Sequence, residues 1–478
     1  MLVPEVLCLG DVYAFRSLFF YTLKKVQNCV KFKMMLYFLY FKVYYILKNV
    51  QNCIKFKMEI KMPVIKRDLY LNQIIDRKHN GLIKIISGIR RCGKSYLLFE
   101  LFKQHLLDNG VKENHIIATA LDGYKQEKFQ NPDVYYDYII SQIKDQEMYY
   151  ILLDEVQMMD KFESVLNGLM RIKNVDIYVT GSNSRFLSSD VVTEFRGRGD
   201  EIKVYPLNFA EFYSVSNNDF LTAWKEYMTF GGMPLVLSYK NTTDKIKYLQ
   251  NLFKETYLRD IIDRNKIKNN EELEELINIV ASNIGCLTNP KRLSDTFNSI
   301  KHVNISSPTI TQYLEYLQDA FIINKVLRYD IKGKKYINTP YKYYFSDHGL
   351  RNACLDFRQN EETHLMENII YNELNVRGFN VDVGEVEILK KTNTTYTRKN
   401  TEVDFVANIG SKRYYIQSAL EMPTNEKKEQ EERSLMEIRD SFKKIIIVKS
   451  DIIPYQDENG ITIIGLKDFL LKPNSLEL

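Results

Sequence analysis

The chain has 478 residues, enough for two to four domains, and its formal net charge is only +5. A charge this small over this length does not by itself favour a non-specific nucleic-acid binder. The six cysteines lack the spacing of a zinc module or a disulfide framework, which predicts a reducing, cytoplasmic environment.

Residues 1–62 differ in composition from the rest of the chain. They contain ten lysines and arginines against three acidic residues, a net charge of +7 that leaves −2 for the remainder. The segment that begins at Lys24 recurs almost unchanged from Lys48, and the apolar residues 35–47 between the copies are too few for a membrane span of about 20 residues. A basic interfacial helix is one interpretation. We favour a start-site artefact, with the functional chain beginning at Met58 or Met62.

A buried-strand pattern at residues 82–87 leads directly into a loop of the form G-x-x-x-x-G-K-S. The glycines allow a tight turn that points backbone N–H groups at phosphate oxygens, and a helical pattern follows as far as Gly110. Lys94 would contact the β- and γ-phosphates, and Ser95 would hold Mg²⁺. A surface turn could match by chance, but the strand and helix favour a phosphate-binding loop. The predicted nucleotide-binding residues are Gly88, Ile89, Arg90, Arg91, Cys92, Gly93, Lys94 and Ser95.

A second apolar strand, residues 149–153, ends at Asp154 and Glu155. A continuous apolar run of this kind is typical of a central parallel strand. Asp154 is expected to bind Mg²⁺ directly or through water, and Glu155 to act as the general base for the attacking water. An acidic turn after a strand is the alternative, and the phosphate loop upstream favours the hydrolytic interpretation.

Five strand patterns alternate with helical stretches in this part of the chain. They lie at residues 82–87, 115–121, 149–153, 175–180 and 201–205. The alternation predicts an α/β fold with a doubly wound parallel sheet, in which an extra strand separates the phosphate-loop strand from the Asp-Glu strand. This is the arrangement of the additional-strand class of P-loop NTPases.

Two further residues are candidates for catalysis. Asn183 follows the fourth strand, where a polar side chain would sense the γ-phosphate or orient the water. Arg198 precedes the fifth strand, with Arg196 as the second choice for an arginine finger. Ordinary loop chemistry remains the alternative for Asn183, and a solvated basic turn for the arginines.

Taken together, these motifs resemble a prokaryotic AAA-type ATPase family whose members carry a C-terminal domain of unknown function. The resemblance rests on residues 88–95, 151–157, 180–184 and 205–212, and continues through residues 231–234, 257–262 and 402–406. It covers nearly everything after Met62. It implies ATP binding and hydrolysis in residues 63–215, with ATP and Mg²⁺ as cofactors, and leaves the cellular role open.

The segment that follows is helical. Residues 216–270 are expected to form a helical lid or connector. Three helical patterns and two short strands then predict a winged helix over residues 271–350. Its third helix has polar residues that could face a DNA groove, but Glu315 and Asp319 would repel phosphates, so a protein contact stays an alternative.

Residues 355–478 show the order helix, three strands, helix and strand. This is similar to restriction-endonuclease-like domains, whose site needs an aspartate followed by Glu/Gln-x-Lys. Asp404 and Gln417 occupy the first two places, Glu367 is a further candidate ligand, and Ala419 stands where the lysine belongs. We expect a degenerate, inactive nuclease site, because two carboxylates and an amide bind Mg²⁺ weakly.

The sequence therefore predicts a cytoplasmic ATPase whose nucleotide cycle alters the geometry of a DNA- or protein-binding C-terminal half. Its partner would be an unidentified protein, or nucleic acid, although the net charge does not support the latter. A homo-oligomer is compatible with an arginine finger. Two rival functions are an ATP-gated nuclease and a non-hydrolysing nucleotide-dependent switch or scaffold.

Overall fold

The computed structural model describes residues 64–182, 197–300, 305–391 and 396–478. The predictions made for residues 1–62, for Asn183 and for Arg196 therefore lie outside the described residues. The described part of the chain forms one compact unit. None of its helices is both long enough and apolar enough to cross a membrane.

Five parallel strands form the sheet of the N-terminal half. They are β1 (Ile83–Ser87), β2 (Ile116–Ala120), β3 (Tyr149–Asp154), β4 (Val175–Thr180) and β5 (Gly199–Lys203). The order across the sheet is β2-β3-β4-β1-β5, and every neighbouring pair is parallel. Strand β4 thus separates β1 from β3, as the sequence predicts.

Both faces of this sheet are buried. Ile151 and Leu153 of β3 belong to one apolar cluster, whereas Leu152 belongs to another. Because successive side chains of a strand point to opposite faces, β3 carries an apolar core on each side. The continuous apolar run in the sequence has this physical cause.

Helices cover the sheet, and one of them begins directly after the glycine-containing loop. They are α1 (Asp68–Asp76), α2 (Lys94–Tyr96), α3 (Lys103–Asp108), α4 (Pro132–Gln142) and α5 (Phe162–Leu169). A π-helical turn over Leu97–Phe102 joins α2 to α3 into one continuous helical segment. Short 3₁₀ turns lie at Glu113–His115, Tyr124–Gln130 and Val156–Met158.

A helical connector follows the first sheet. It contains α6 (Phe209–Ser214), α7 (Phe220–Phe230), a 3₁₀ turn (Pro234–Ser238), α8 (Thr242–Asn251), a π-helical turn (Leu252–Leu258) and α9 (Arg259–Asn265). Helix α7 ends at Phe230 because Gly231 adopts a φ of +71°. The helical connector predicted over residues 216–270 is therefore interrupted at this glycine.

The C-terminal half is built around an eight-stranded sheet. Its strands are β6 (Ile323–Asp330), β7 (Lys335–Phe345), β8 (Asn380–Lys391), β9 (Tyr396–Ile409), β10 (Lys412–Ala419), β11 (Lys443–Val448), β12 (Tyr455–Gln456) and β13 (Thr462–Gly465). The order is β12-β13-β11-β10-β9-β8-β6-β7. Strands β6 and β7 form an antiparallel hairpin, and β6 also pairs in parallel with β8.

The helices of this half largely follow the sequence patterns. They are α10 (Asn270–Ser282), α11 (Pro290–Ile300), α12 (Ser307–Asp319), α13 (His348–Cys354), α14 (Glu362–Val376), α15 (Asn425–Met436) and α16 (Leu466–Leu471), with a 3₁₀ turn at Ser475–Glu477. Helices α10 to α12 and the hairpin have the order expected for a winged helix. The hairpin nevertheless belongs to the same sheet as β8, so the predicted boundary between residues 350 and 355 does not separate two sheets.

Candidate nucleotide-binding site

The loop after β1 has a shape that requires its glycines. Gly88 has a φ of +138°, and a Cβ atom there would lie 2.0 Å from the carbonyl oxygen of Val204. Gly93 has a φ of +101° and begins the helix that contains Lys94. Cys92 between them is fully buried, with its Sγ 3.5 Å from the same Val204 oxygen. The loop therefore packs tightly against the chain that follows β5.

The ammonium group of Lys94 lies inside the loop. Its Nζ donates hydrogen bonds to the carbonyl oxygens of Gly88, at 2.9 Å, and Ile89, at 3.0 Å. The side chain is buried although it is charged. A buried cation that is held by two loop carbonyls can exchange these weak ligands for phosphate oxygens.

Ser95 and Asp154 meet beside the loop. The Ser95 hydroxyl donates a 3.0 Å hydrogen bond to Oδ1 of Asp154, and the Thr180 hydroxyl donates to the same oxygen. Burial raises the pKa of the Asp154 carboxyl above its ordinary value, while the hydroxyls of Thr180 and Ser95 act in the opposite direction. The serine of the loop and the carboxylate of β3, predicted separately as Mg²⁺ ligands, are in direct contact.

Glu155 lies at the same end of the sheet, directly after the carboxyl end of β3. Its backbone has a φ of +53°, and its N–H donates to the Thr180 hydroxyl at 3.0 Å. The Glu155 carboxylate accepts a hydrogen bond from Ser182 at 3.1 Å and another from Gln157. These contacts orient a half-buried carboxylate next to Asp154.

Arg198 lies at the opposite end of the strands, where β1 and β5 begin. Its carbonyl oxygen accepts a hydrogen bond from the N–H of Ile83, the first residue of β1, at 2.8 Å. Because β1 spans five residues, the loop at its far end is roughly 15 Å away. The exposed Arg198 guanidinium contacts Asn167 at 3.3 Å. The structure does not bring Arg198 to the loop of its own chain.

Arg67 supports the loop from the side of the chain that follows β5, and no sequence pattern singles it out. Its Nη1 donates to the Cys92 carbonyl at 3.2 Å, and its Nη2 to the Tyr205 carbonyl at 2.6 Å. The Nε atom lies 3.2 Å from a carboxylate oxygen of Glu211. A lone arginine before a helix carries no spacing signal, so only the fold could identify it.

The connector touches the loop at several points. The Tyr257 hydroxyl donates a 2.6 Å hydrogen bond to the carbonyl of Arg90, and Arg90 Nη1 lies 3.9 Å from Oδ1 of Asp260. Arg91 is exposed and lines a cavity of about 370 Å³ together with Tyr239 and residues of α8 and the following turn. Two consecutive loop arginines thus face the connector.

The connector is also tied to the C-terminal half. The N–H of Gly232 donates a 2.7 Å hydrogen bond to Oδ2 of Asp347, which precedes α13. A Cβ atom on Gly231 would lie 2.4 Å from the other oxygen of this carboxylate, and one on Gly232 would lie 2.0 Å from the Leu207 carbonyl. The glycine pair is thus where three segments approach each other closely.

A second polar cluster lies in the C-terminal half. Glu367 of α14 and Asp404 of β9 are both buried, and Oδ2 of Asp404 accepts a 2.8 Å hydrogen bond from the N–H of Ser418. Gln417 is adjacent, because its Oε1 lies 3.4 Å from the N–H of Asp404. The structure therefore brings the three predicted nuclease-site residues into one neighbourhood.

This cluster also contains a lysine that no sequence pattern singles out. Lys342 of β7 places its Nζ 2.9 Å from Oε1 of Glu367 and 2.5 Å from Oε1 of Glu402. Burial lowers the pKa of Lys342, but Glu367, Glu402 and Asp404 outweigh it and raise that pKa above its ordinary range. Burial and the Glu367 charge raise the pKa of Asp404 well above its ordinary value. Within the described ranges, no group of acidic, histidine or cysteine side chains has the arrangement of a metal site.

The parallel sheet and the glycine-containing loop are those of a P-loop protein, and the comparisons with known families agree with this class. Residues 80–213 match the model of a AAA domain, and residues 221–361 match that of a domain of unknown function, DUF8612. The chain thus carries a AAA-type P-loop domain followed by this second domain.

Full-length relatives extend the match over most of the chain. An uncharacterised protein of Haemophilus influenzae is 33% identical over 415 residues, which cover 86% of this chain and 99% of that protein. The uncharacterised protein MJ1544 of Methanocaldococcus jannaschii is 29% identical over 417 residues, 83% of this chain and 86% of that protein. The chain belongs to the family of the Haemophilus protein.

Similarity to solved structures is more distant. The Orc1 protein of Aeropyrum pernix, solved in complex with DNA, is 12% identical, with 61% of this chain and 93% of that chain covered and a TM-score of 0.29. Cdc6p of Pyrobaculum aerophilum is 10% identical, with 65% and 95% covered and a TM-score of 0.25. TM-scores this low do not support any inference about function.

Proposed function

We propose that this protein is a Mg²⁺-dependent ATPase whose nucleotide cycle changes the geometry of its C-terminal half. One observation carries the proposal. The buried ammonium of Lys94 lies in the loop beside the 3.0 Å contact between Ser95 and Asp154, at the carboxyl edge of a parallel sheet. This is where α/β proteins bind nucleotides.

The residues present fit a magnesium ion. Mg²⁺ prefers oxygen ligands and usually keeps one or two protein carboxylates or hydroxyls alongside water and phosphate. The Ser95 hydroxyl and the Asp154 carboxylate supply such oxygens, with Thr180 bonded to the same carboxylate. When bound, the ion would neutralise charge on the phosphates.

The residues of the chain would bind the phosphates and accept the proton of the attacking water. The backbone N–H groups of the loop and the helix start at Lys94 would hold the phosphates, and the Lys94 ammonium would pair with their charge. Glu155 is the residue that would accept a proton from the attacking water, because Ser182 and Gln157 hold its carboxylate at the sheet edge. Asn183 retains its proposed role as a γ-phosphate sensor.

Coupling to the rest of the molecule would run through the connector. Tyr257 and Asp260 contact the loop residue Arg90, and Gly232 binds Asp347 in the C-terminal half. A phosphate that binds Arg90 would compete with Asp260 and so change the position of α9. Contacts of this kind support a mechanical link between nucleotide and C-terminal half.

We further propose that the enzyme works as a homo-oligomer in the cytoplasm. Arg198 faces away from the site of its own chain, so an arginine finger at this position would act on a neighbouring subunit. Cys92, Cys286 and Cys354 are free thiols, which suits a reducing compartment. The partner moved by the C-terminal half would be a protein or a nucleic acid.

The proposal is tested by the ATP affinity of Lys94→Ala. We expect at least about tenfold weaker binding, because a buried charge-assisted contact to phosphate is lost. Lys173→Ala is the matched control, since Lys173 is exposed and lies just before β4, at the far edge of the sheet. Equal ATP affinity in wild type and Lys94→Ala, measured by calorimetry with Mg²⁺, would contradict the site assignment.

A further inference from the structure

The polar cluster of the C-terminal half contains more charge than a degenerate nuclease site needs. Three carboxylates lie together, from Glu367, Glu402 and Asp404, and their side chains come from α14 and β9. Carboxylates at this density repel each other in a buried site unless a cation balances them. A nuclease of similar fold would use a divalent metal ion for that purpose.

The residues of this cluster do not fit a metal ion. The cation among them is the Lys342 ammonium, in contact with Glu367 at 2.9 Å and with Glu402 at 2.5 Å. The Tyr344 hydroxyl donates to the same oxygen of Glu367 that Lys342 contacts. A Glu367 oxygen that is already bound to an ammonium and a hydroxyl is a poor metal ligand, and a second cation would be repelled by the nearby Lys342 ammonium.

We propose that the Lys342 ammonium is the permanent cation of this cluster and takes the charge-balancing place of a metal ion. The site is then a structural ion-pair network rather than a hydrolytic centre. Lys342 comes from β7, outside the segment 355–478 in which the sequence pattern places the nuclease-like domain. The lysine absent at Ala419 is thus not replaced by a catalytic one, because Lys342 is held by carboxylates on two elements.

The surroundings of Ala419 support this assignment. Ala419 is buried in an apolar cluster with Val403, Tyr415 and Leu435, so its place in the fold is filled by packing. Lys412, which lies on the same strand as Ala419, is bound to Glu477 at 2.7 Å. Lys399, a lysine of the neighbouring strand β9, is exposed.

The network would hold the β6–β7 hairpin against helix α14. Among the residues that the structure describes, strand β7 lies at the edge of the sheet, pairs with β6 and forms one isolated bridge to Thr288. Lys342 and Tyr344 bind β7 to Glu367 of α14, and the neighbouring Gly285 leaves room for this carboxylate, since a Cβ there would lie 3.2 Å from both its oxygens. The ion pair thereby holds the edge strand in the C-terminal half.

The first part of the test is a double-mutant cycle on thermal unfolding without nucleotide. Lys342→Met is expected to lower the unfolding midpoint by roughly 5 °C or more, because it leaves buried carboxylates unpaired. Adding Glu367→Gln should restore part of that loss, since it removes one of those charges. Lys335→Met, an exposed lysine of the same strand, should change little. Additive losses from Lys342→Met and Glu367→Gln would overturn the proposal.

The second part uses the intact wild-type chain and so does not depend on whether Lys342→Met folds. Mn²⁺ binding to nucleotide-free wild type and to Asp404→Asn is followed by electron paramagnetic resonance. We expect the same binding in both proteins. Mn²⁺ binding, or cleavage of plasmid DNA in Mn²⁺, that Asp404→Asn abolishes would show that a metal displaces Lys342 and would overturn the proposal.

Discussion

Gly88 shows how a single residue shapes the phosphate loop. Its φ of +138° and the 2.0 Å approach of the Val204 oxygen to a Cβ leave no room for a side chain. Gly88→Ala should therefore lose at least about 1–3 kcal/mol of stability from backbone strain, with further loss from the clash, and should bind ATP more weakly. Calorimetric unfolding and ATP titration measure both effects.

Gly81→Ala is a matched control for this prediction. Gly81 also has a positive φ, +74°, but no atom lies within 4 Å of a Cβ placed there. It should lose only the stability that the backbone strain costs, and keep its ATP affinity. Equal losses in the two variants would contradict the role given to the Val204 contact.

The buried carboxyl of Glu373 is expected to make the stability of the protein depend on pH. Burial raises the pKa of its carboxyl from 4.5 to about 7, although Arg377, at 2.8 Å, acts in the opposite direction. Between these two values the folded chain holds a proton that the unfolded chain releases. The free energy of unfolding should therefore fall by about 3 kcal/mol as the pH rises through this window.

The measurement compares unfolding midpoints of wild type and Glu373→Gln at roughly pH 5 and pH 7. Glutamine does not titrate, so the variant should lose less stability over this interval than wild type does. Glu458→Gln, at an exposed glutamate, should keep the wild-type slope. An unchanged slope in Glu373→Gln would exclude this group as the source.

The residues of the candidate sites differ in how far sequence could predict them. The loop, Asp154 and Glu155 follow strands in the chain and have fixed spacing, so local pattern suffices. Arg67 and Lys342 reach their sites from other elements, at 25 positions from Cys92 and 25 from Glu367. Such contacts form only when the folded elements pack together, and no residue spacing in the sequence indicates them.

At the scale of elements, the contact between connector and loop makes its own prediction. Tyr257→Phe removes the hydroxyl that binds the Arg90 carbonyl at 2.6 Å and keeps the ring in the core. A lost hydrogen bond of about 1 kcal/mol should weaken ATP binding roughly fivefold, because the loop is less well held. Tyr213→Phe, whose ring stacks on Phe209, serves as control in the ATP titration. Identical affinities in Tyr257→Phe and wild type would exclude this route of coupling.

The elements of the first sheet were largely predictable because each strand is an apolar run buried on both faces. The predicted and observed ranges of the fourth strand are the same, 175–180. In the C-terminal half, the short strands β12 and β13 and the helix α16 were missed, since two to six residues carry too little periodicity. The pairing of β6 with β8 was missed for another reason, because it joins residues that are 55 positions apart in the chain.

At the scale of the whole molecule, the position of Arg198 predicts action between subunits. Arg198→Ala should lower ATP turnover on the order of a thousandfold, as removal of an arginine finger does. Mixing it with the impaired Glu155→Gln should restore partial turnover, since mixed assemblies contain intact sites. Arg358→Ala, a control at an exposed arginine, should be fully active. Normal turnover by Arg198→Ala alone would exclude the role.

The central claim is that the site at the edge of the first sheet hydrolyses ATP, with Glu155 as the base. The most direct measurement is phosphate release by wild type and Glu155→Gln, with ATP affinity determined on the same samples. We predict that the two proteins bind ATP equally, and that turnover falls at least about a hundredfold in the variant, since glutamine cannot accept a proton from water. Equal turnover in the two proteins, or no turnover by wild type with Mg²⁺, would contradict the account.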